Sequence, residues 1–232
     1  GIWYLNPYLN DSNPTNISQG NSHLDSEKSH SFNLSYSNFT QKFNINLSAR
    51  YSFTNNSIEQ VTEQVKDTEI EGLQNPTGKE VLYSTYQNIG KSRNASLSGY
   101  VNWNATSNTR IYANLYGNYT YMEGANGLKN DGWNLFAYGG AQQSLPHDWR
   151  ISLNIYGQTP WIMLQGKGSS FFDYGLSVNK SFLNKRLTLS AFASNFFKKY
   201  TSPTSSIEGV GFTQDSWNRY TRQRFGVSVS YR

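Results

Sequence analysis

Three histidines, an acidic run and two loop tryptophans are the residues of this chain whose chemistry could do work. His23, His30 and His147 fall in separate segments, with no H-x-x-H pair and no carboxylate cluster beside them. A metal or acid–base centre needs such side chains to converge, so the sequence predicts neither role for them. Glu59, Glu63, Asp67, Glu69 and Glu71 lack the ligand spacing of a calcium loop and predict a solvated face. There is no cysteine, hence no thiol chemistry and no disulfide. No G-x-S-x-G, phosphate-binding loop or dinucleotide fingerprint occurs. The expectation is a protein that is not an enzyme and needs no cofactor or metal. Binding remains. Trp161, within Thr159-Pro160-Trp161-Ile162-Met163-Leu164, and Trp217 lie in long polar connections. Flat rings with one polar edge suit ligand contact there. Loop packing or a place at a membrane interface are the competing readings.

The elements that must position these residues are strands. The final stretch, Arg224 to Arg232, alternates Phe225, Val227, Val229 and Tyr231 with Gly226, Ser228 and Ser230. Side chains alternate across a strand, so one face is apolar and the other small and polar. The pattern recurs. Phe43, Ile45, Leu47, Ala49, Tyr51 and Phe53 alternate with Asn44, Asn46, Ser48, Arg50 and Ser52, about the length a tilted membrane strand needs. Further alternating runs begin near Ser31, Asn94, Arg110, Trp133, Trp149, Phe172 and Leu187. Residues 1–30, with Asn6-Pro7, Asn13-Pro14 and Gly20-Asn21, predict an irregular outer segment leading into the strands of residues 31–232. Residues 54–87 predict a solvated loop, with a strand extension from Val81 to Tyr86.

Composition agrees with an exposed apolar face and a wet opposite one. Only 15% of the 232 residues are charged and 36% are hydrophobic, yet 16% are aromatic, too many for a disordered chain. Mean hydropathy is −0.66. The net charge of +5 is scattered, with no basic stripe, which argues against nucleic acid. No run approaches the ~20 apolar residues of a membrane helix. Barrel strands escape that test because they are short and half apolar.

Two regularities favour a membrane barrel over a soluble sandwich. Connections alternate in length: those near 39–41, 104–109, 146–148 and 182–185 are tight, and those near 54–87, 123–132, 158–169 and 195–218 are long. Aromatic residues also close both ends of the apolar faces. Trp103, Trp149, Phe182 and Tyr231 lie towards the tight turns; Phe53, Tyr121, Trp133 and Phe172 lie towards the long loops. Two such girdles are what a bilayer selects. The predicted fold is all-β: an antiparallel up-and-down meander of about nine or ten long strands, part of or closing into a transmembrane β-barrel.

Several runs carry a resemblance. Asn6-Pro7-Tyr8-Leu9, Asp11 to Asn16, Gly20 to Leu24 and Glu27 to Phe32 follow a loop-into-strand pattern. Ser22 and Ser26 stand there in place of prolines. Tyr86-Gln87-Asn88-Ile89-Gly90, Ser181 to Leu189 and Arg224 to Arg232 match a descending strand, a penultimate turn and a final strand. Together these resemble the C-terminal barrel of a TonB-dependent outer-membrane receptor, within the outer-membrane β-barrel family. The resemblance implies a barrel of roughly 22 strands, a plug domain ahead of residue 1 and a terminal Phe after Arg232. It also implies a site in the outer membrane of a Gram-negative cell, with the chain ending on the periplasmic side. The implied partners are membrane lipid, a bulky imported nutrient (a glycan, siderophore or similar), the TonB energy-coupling system and a surface lipoprotein. The other readings are a soluble, aromatic-rich β-sandwich that binds glycans and a structural barrel without a plug.

Overall fold

A computed structural model describes residues 1–232, the side chain of Ala125 excepted. Nine long strands form one antiparallel sheet: β1 (Lys28–Phe39), β2 (Phe43–Asn55), β3 (Lys91–Thr106), β4 (Thr109–Glu123), β5 (Lys129–Leu145), β6 (Trp149–Gln158), β7 (Phe171–Phe182), β8 (Leu187–Ser194) and β9 (Arg224–Tyr231). Spatial order follows chain order throughout. Each strand thus pairs with its sequence neighbours, which is the up-and-down meander that the alternating pattern predicts. β1 and β9 pair on one side only, so the sheet is open between them.

The register converts the alternation into horizontal rows. On the outward face of β2 to β5, one row reads Phe43, Trp103, Ile111, Ala141, and the row above it Ile45, Val101, Ala113, Gly139. Then come Leu47, Gly99, Leu115, Ala137, then Ala49, Leu97, Gly117, Leu135, and then Tyr51, Ala95, Tyr119, Trp133. The next row is Phe53, Arg93, Tyr121, Asp131, and the topmost is Asn55, Lys91, Glu123, Lys129. Aromatic, aliphatic, aromatic and charged strata follow in order. Phe43 to Phe53 is ten steps along a strand, or ~34 Å. At the usual barrel tilt of about 40° that is ~26 Å of height, close to the ~25 Å apolar band of outer-membrane barrels.

No protein layer covers this face. Leu34, Leu97, Leu115, Leu135, Val227 and Val229 are all exposed, Leu115 by 58%. Among the described residues the buried apolar side chains are Ile17, Val61, Ile70, Val81, Ile89, Ile162 and Leu164, and none of them lies on the nine strands. A soluble sandwich would bury Leu115 and Val229 between two sheets and expose the Asn and Ser face instead. No helix among the described residues is long and apolar enough to cross a membrane.

The connections sort as the sequence predicts, with one difference. The tight ones are two to four residues long, at 40–42, 107–108, 146–148 and 183–186. In two of them His147, Asp148, Leu183, Asn184 and Lys185 take positive φ, which lets the chain reverse sharply. The long ones span 56–90, 159–170 and 195–223, but the link 124–128 is short. β4 and β5 there run beyond the Gly/Asn-rich signal, because cross-strand pairs such as Glu123–Lys129 extend the ladder.

The segments read as loops hold several paired strands. Residues 1–30 hold a hairpin, Leu9–Asn13 with Asn16–Gln19, and β1 begins at Lys28. Asn16–Gln19 adds in parallel to Glu80–Asn88, which in turn pairs with Ile58–Lys66. The irregular segment expected at 1–30 and the loop expected at 54–87 are corrected for these strands, while the extension expected from Val81 to Tyr86 lies within Glu80–Asn88. Of their turn residues, Pro14, Pro76 and Gly78 mark the bends between strands, and Pro7 precedes the first of them.

An arginine at Leu115 would put a charge against hydrocarbon, whereas one at Asn114 would face the polar side. We expect Leu115→Arg to cost about 2–4 kcal/mol of folding stability in lipid vesicles, measured by reversible urea unfolding. Asn114→Arg should change it by less than a quarter of that.

Candidate functional site

The inner face of the sheet was expected to be polar and wet. Across β1 to β3 it is: Asn33, Arg50 and Ser96 form one row, and Ser35, Ser48 and Ser98 the next. Across β4 to β7 it becomes aromatic. Tyr116 opposes Phe136, which opposes Gln158, which opposes Phe171. One step below, Tyr138 opposes Tyr156, and Tyr156 opposes Asp173. The rings touch in a chain. Tyr112 and Tyr138 centroids lie 5.8 Å apart, Tyr138 and Tyr156 6.2 Å, Phe136 and Tyr156 5.0 Å, and Tyr156 and Phe171 5.0 Å. Gly140 makes room: a Cβ there would lie 2.6 Å from Tyr112 Oη.

This ladder ends at a charged hollow. Arg222 lies over the Phe171 ring at 5.3 Å and over Tyr220 at 5.0 Å, and pairs with the Asp173 carboxylate. Asn195 Nδ2 donates to the other carboxylate oxygen of Asp173 at 3.0 Å, and Arg222 Nη2 to Tyr220 Oη at 2.6 Å. It is the one ion pair among the described residues. Asp173, Asn195, Tyr220 and Arg222, with Asn154, Ser194 and Arg224, line a hollow of about 440 Å³. Ring faces beside fixed donors and acceptors can hold an amphipathic, polyhydroxylated or aromatic guest by stacking and hydrogen bonding.

A cap stands at the long-loop end. Gln165 clamps two of its parts, accepting from Thr62 N at 2.7 Å and donating to Thr62 O at 3.0 Å. Val61, Ile89 and Leu164 pack beside Met122 and Leu128; Ile17, Ile70 and Val81 form a second cluster. Asn130 Nδ2 and Asn134 Nδ2 donate to the carbonyls of Met163 (2.6 Å) and Thr159 (2.8 Å), tying residues 159–163 to β5. Ile162–Met163, Gly166–Lys167, Thr204–Gly209 and Phe212–Trp217 form a four-stranded sheet. Gln214 Nε2 reaches Asn16 Oδ1 at 2.9 Å and joins this sheet to the first hairpin.

Trp217 ends the last strand of this sheet, and Trp161 immediately precedes its first. Trp161 O accepts from Gly168 N at 2.8 Å, and Trp217 opposes Thr204. The register sets both at the same end of the sheet, and both are exposed. Neither is part of the inner aromatic ladder, which sequence reading missed. Its signal was the row of even-numbered aromatics, Tyr112, Phe136, Tyr138 and Tyr156, on faces otherwise of Asn and Ser.

The remaining singled-out aromatics fall on the outer face. Trp103, Trp149, Phe182 and Tyr231 are exposed near the tight turns, and Lys180 Nζ lies over the Trp149 and Phe182 rings. Trp133 and Phe172 are exposed towards the cap. Phe53 and Tyr121 are half-buried, and Tyr121 Oη donates to Glu123 at 2.9 Å. The histidines stay apart: His23 sits beside Ser22, His30 stacks on Phe53, and His147 lies in a tight turn.

A sheet with an uncovered apolar face, two aromatic belts and a polar inner wall defines a membrane-spanning β protein. Residues 1–231 match the model of the outer membrane protein beta-barrel family, and the chain belongs to that family. Its place is the outer membrane. No curated protein matches the chain.

Two carboxylates in the cap have opposite environments. Asp67 is held below the usual carboxylate range, first by the Thr77 hydroxyl (2.6 Å) and then by Thr77 N (2.7 Å), with Gly78 N (2.6 Å) adding. Burial, and then the neighbouring Glu27 carboxylate, push Glu59 up to about 7. At pH values below the ordinary carboxylate range Glu59 is protonated folded or unfolded and costs nothing. As pH rises from the ordinary carboxylate range to about 7 the unfolded chain has released this proton while the folded cap still holds it, so cap stability falls across that window by roughly 1–2 kcal/mol after solvent screening and levels off above it. Hydrogen exchange of residues 58–66 should therefore speed up from pH 5 to pH 8 beyond the intrinsic rate. Glu59→Gln should remove that excess.

Proposed function

We propose that this chain is the C-terminal barrel portion of a TonB-dependent outer-membrane receptor that imports a bulky nutrient, a glycan, siderophore or similar molecule. The observation that supports it most is the cap. Segments as distant as Asn16, Thr62, Gln165 and Gln214 are hydrogen-bonded into one ordered body at the long-loop end. A passive pore has no need of it, whereas a receptor that captures dilute substrate does. The aromatic ladder and the Asp173–Arg222 hollow offer an onward path along the inner wall. In this reading the cap faces outward, the tight turns and the chain end face the periplasm, and a plug domain and a surface lipoprotein complete the machine. The work is binding and passage, with no bond chemistry. The soluble sandwich reading falls with membership of a membrane family; a structural barrel without a plug is separated from the proposal by its energy requirement.

The test is uptake by cells whose growth on a candidate nutrient depends on the full-length protein. Collapsing the inner-membrane proton gradient, or deleting the energy-coupling protein, should abolish uptake while leaving surface binding intact. Uptake that persists without the gradient, together with passive swelling of liposomes carrying the protein, would contradict a receptor and support an open barrel.

A further inference from the structure

The cap-side end of the outward face holds two adjoining hollows. The upper one, of about 340 Å³, is lined by Tyr51, Lys91, Arg93, Ala95, Tyr119, Tyr121 and Glu123 among others. The lower one, of about 490 Å³, is lined chiefly by Phe32, Leu34, Ala49, Tyr51, Leu97 and Trp133. They share Tyr51 and Ala95. The small Ala49 and Ala95 lie between the ridges of Phe32 and Leu34 on one side and Trp133 on the other, which makes a groove running up the wall.

We propose that these two hollows are one binding site for a membrane lipid whose headgroup carries phosphate. The acyl chain lies along Leu34, Ala49 and Leu97, and the phosphate meets Lys91 and Arg93. Charge makes the case for the head. The two topmost outward rows of β1 to β5 carry Lys28, Lys91, Arg93 and Lys129 against Glu123 and Asp131. Both acids already accept from tyrosines, Glu123 from Tyr121 Oη at 2.9 Å and Asp131 from Tyr119 Oη at 2.7 Å. Lys91 and Arg93 make no ion pair among the described residues, and both are exposed. A guanidinium fork beside an ammonium is the pairing that a phosphate's oxygens fit.

Height makes the case for a lipid. Arg93 lies one row above Tyr51, Ala95, Tyr119 and Trp133, the aromatic stratum that marks the interface. Lipid phosphates sit just outside that level. An unpaired cation on the lipid-facing side is costly inside the apolar band but is attracted by anionic headgroups at its edge. The site depends on the outward face meeting lipid, not on what the inner face transports.

The experiment compares phosphatidic acid with diacylglycerol of the same chains, each titrated into the detergent-purified full-length protein and counted by native mass spectrometry. Phosphatidic acid should be retained and diacylglycerol should not. Lys91→Gln/Arg93→Gln should weaken retention about 30-fold, from two headgroup contacts, while Arg150→Gln on the inner face leaves it unchanged. Ala95→Trp, which fills the groove and keeps both cations, should also weaken it. Equal retention of diacylglycerol, or no effect of the double substitution, overturns the proposal. So does displacement of the lipid by inorganic phosphate at matched concentration, which would make the site one for a free anion. Should the double variant fail to fold, the unaltered protein decides: affinity that does not fall with added salt is incompatible with a phosphate–cation contact.

Discussion

The constraint on which this structure rests is that hydrocarbon offers a backbone no hydrogen bonds. Every amide and carbonyl of a membrane-crossing segment must find its partner within the protein, and paired strands do this in a sheet. Once the ladder is in place, each strand presents alternate side chains to lipid and to water. The outward rows of Leu, Val, Ile, Ala and Gly between aromatic belts follow from that geometry, as do the inward Asn, Ser and Thr. Aliphatic side chains on such a face need no jigsaw partner, because fluid lipid fills around them. That is why modest residues such as Ala49, Ala113 and Ala137 suffice.

The cap obeys the opposite rule. Outside the apolar band there is water, so apolar side chains gain by packing on one another. The buried apolar residues among the described ones gather there, all but Ile162 in two small clusters, with hydrogen-bonding side chains such as Gln165, Asn21 and Asn88 tying the segments together. A single chain thus holds two folding regimes, stacked along one strand direction. β2 and β3 cross from one into the other near Phe53 and Arg93. The aromatic belt and the cation row mark that crossing.

The wall was legible in the sequence because period-two alternation is a local signal, repeated nine times with a tight turn at every second connection. Strand ends were less so: β5 starts at Lys129 and not at Trp133, since Asn130 and Asp131 take their place through pairing with β4. The cap strands were obscured for a different reason. Ile58–Lys66 is rich in Glu and Gln, and what fixes it as strand is Glu80–Asn88 beside it and Gln165 across it, both remote in sequence. The inner ladder needed register as well. Tyr138 and Tyr156 look like scattered aromatics until pairing sets them opposite each other. Trp161 and Trp217 stood out as exposed rings, yet their place at one end of a shared small sheet depends on the pairing of Gly166–Lys167 with Thr204–Gly209, some forty residues apart.

The most direct measurement takes neighbouring positions on one strand, labelled singly by cysteine substitution with a nitroxide at Asn114 and at Leu115 in lipid bilayers. Collision with oxygen, which concentrates in hydrocarbon, is compared with collision with a water-soluble nickel chelate. A lipid-facing wall gives high oxygen and low nickel contact at Leu115 and the reverse balance at Asn114. Nickel contact at Leu115, or shielding of Leu115 from both probes as in a packed protein core, would contradict it.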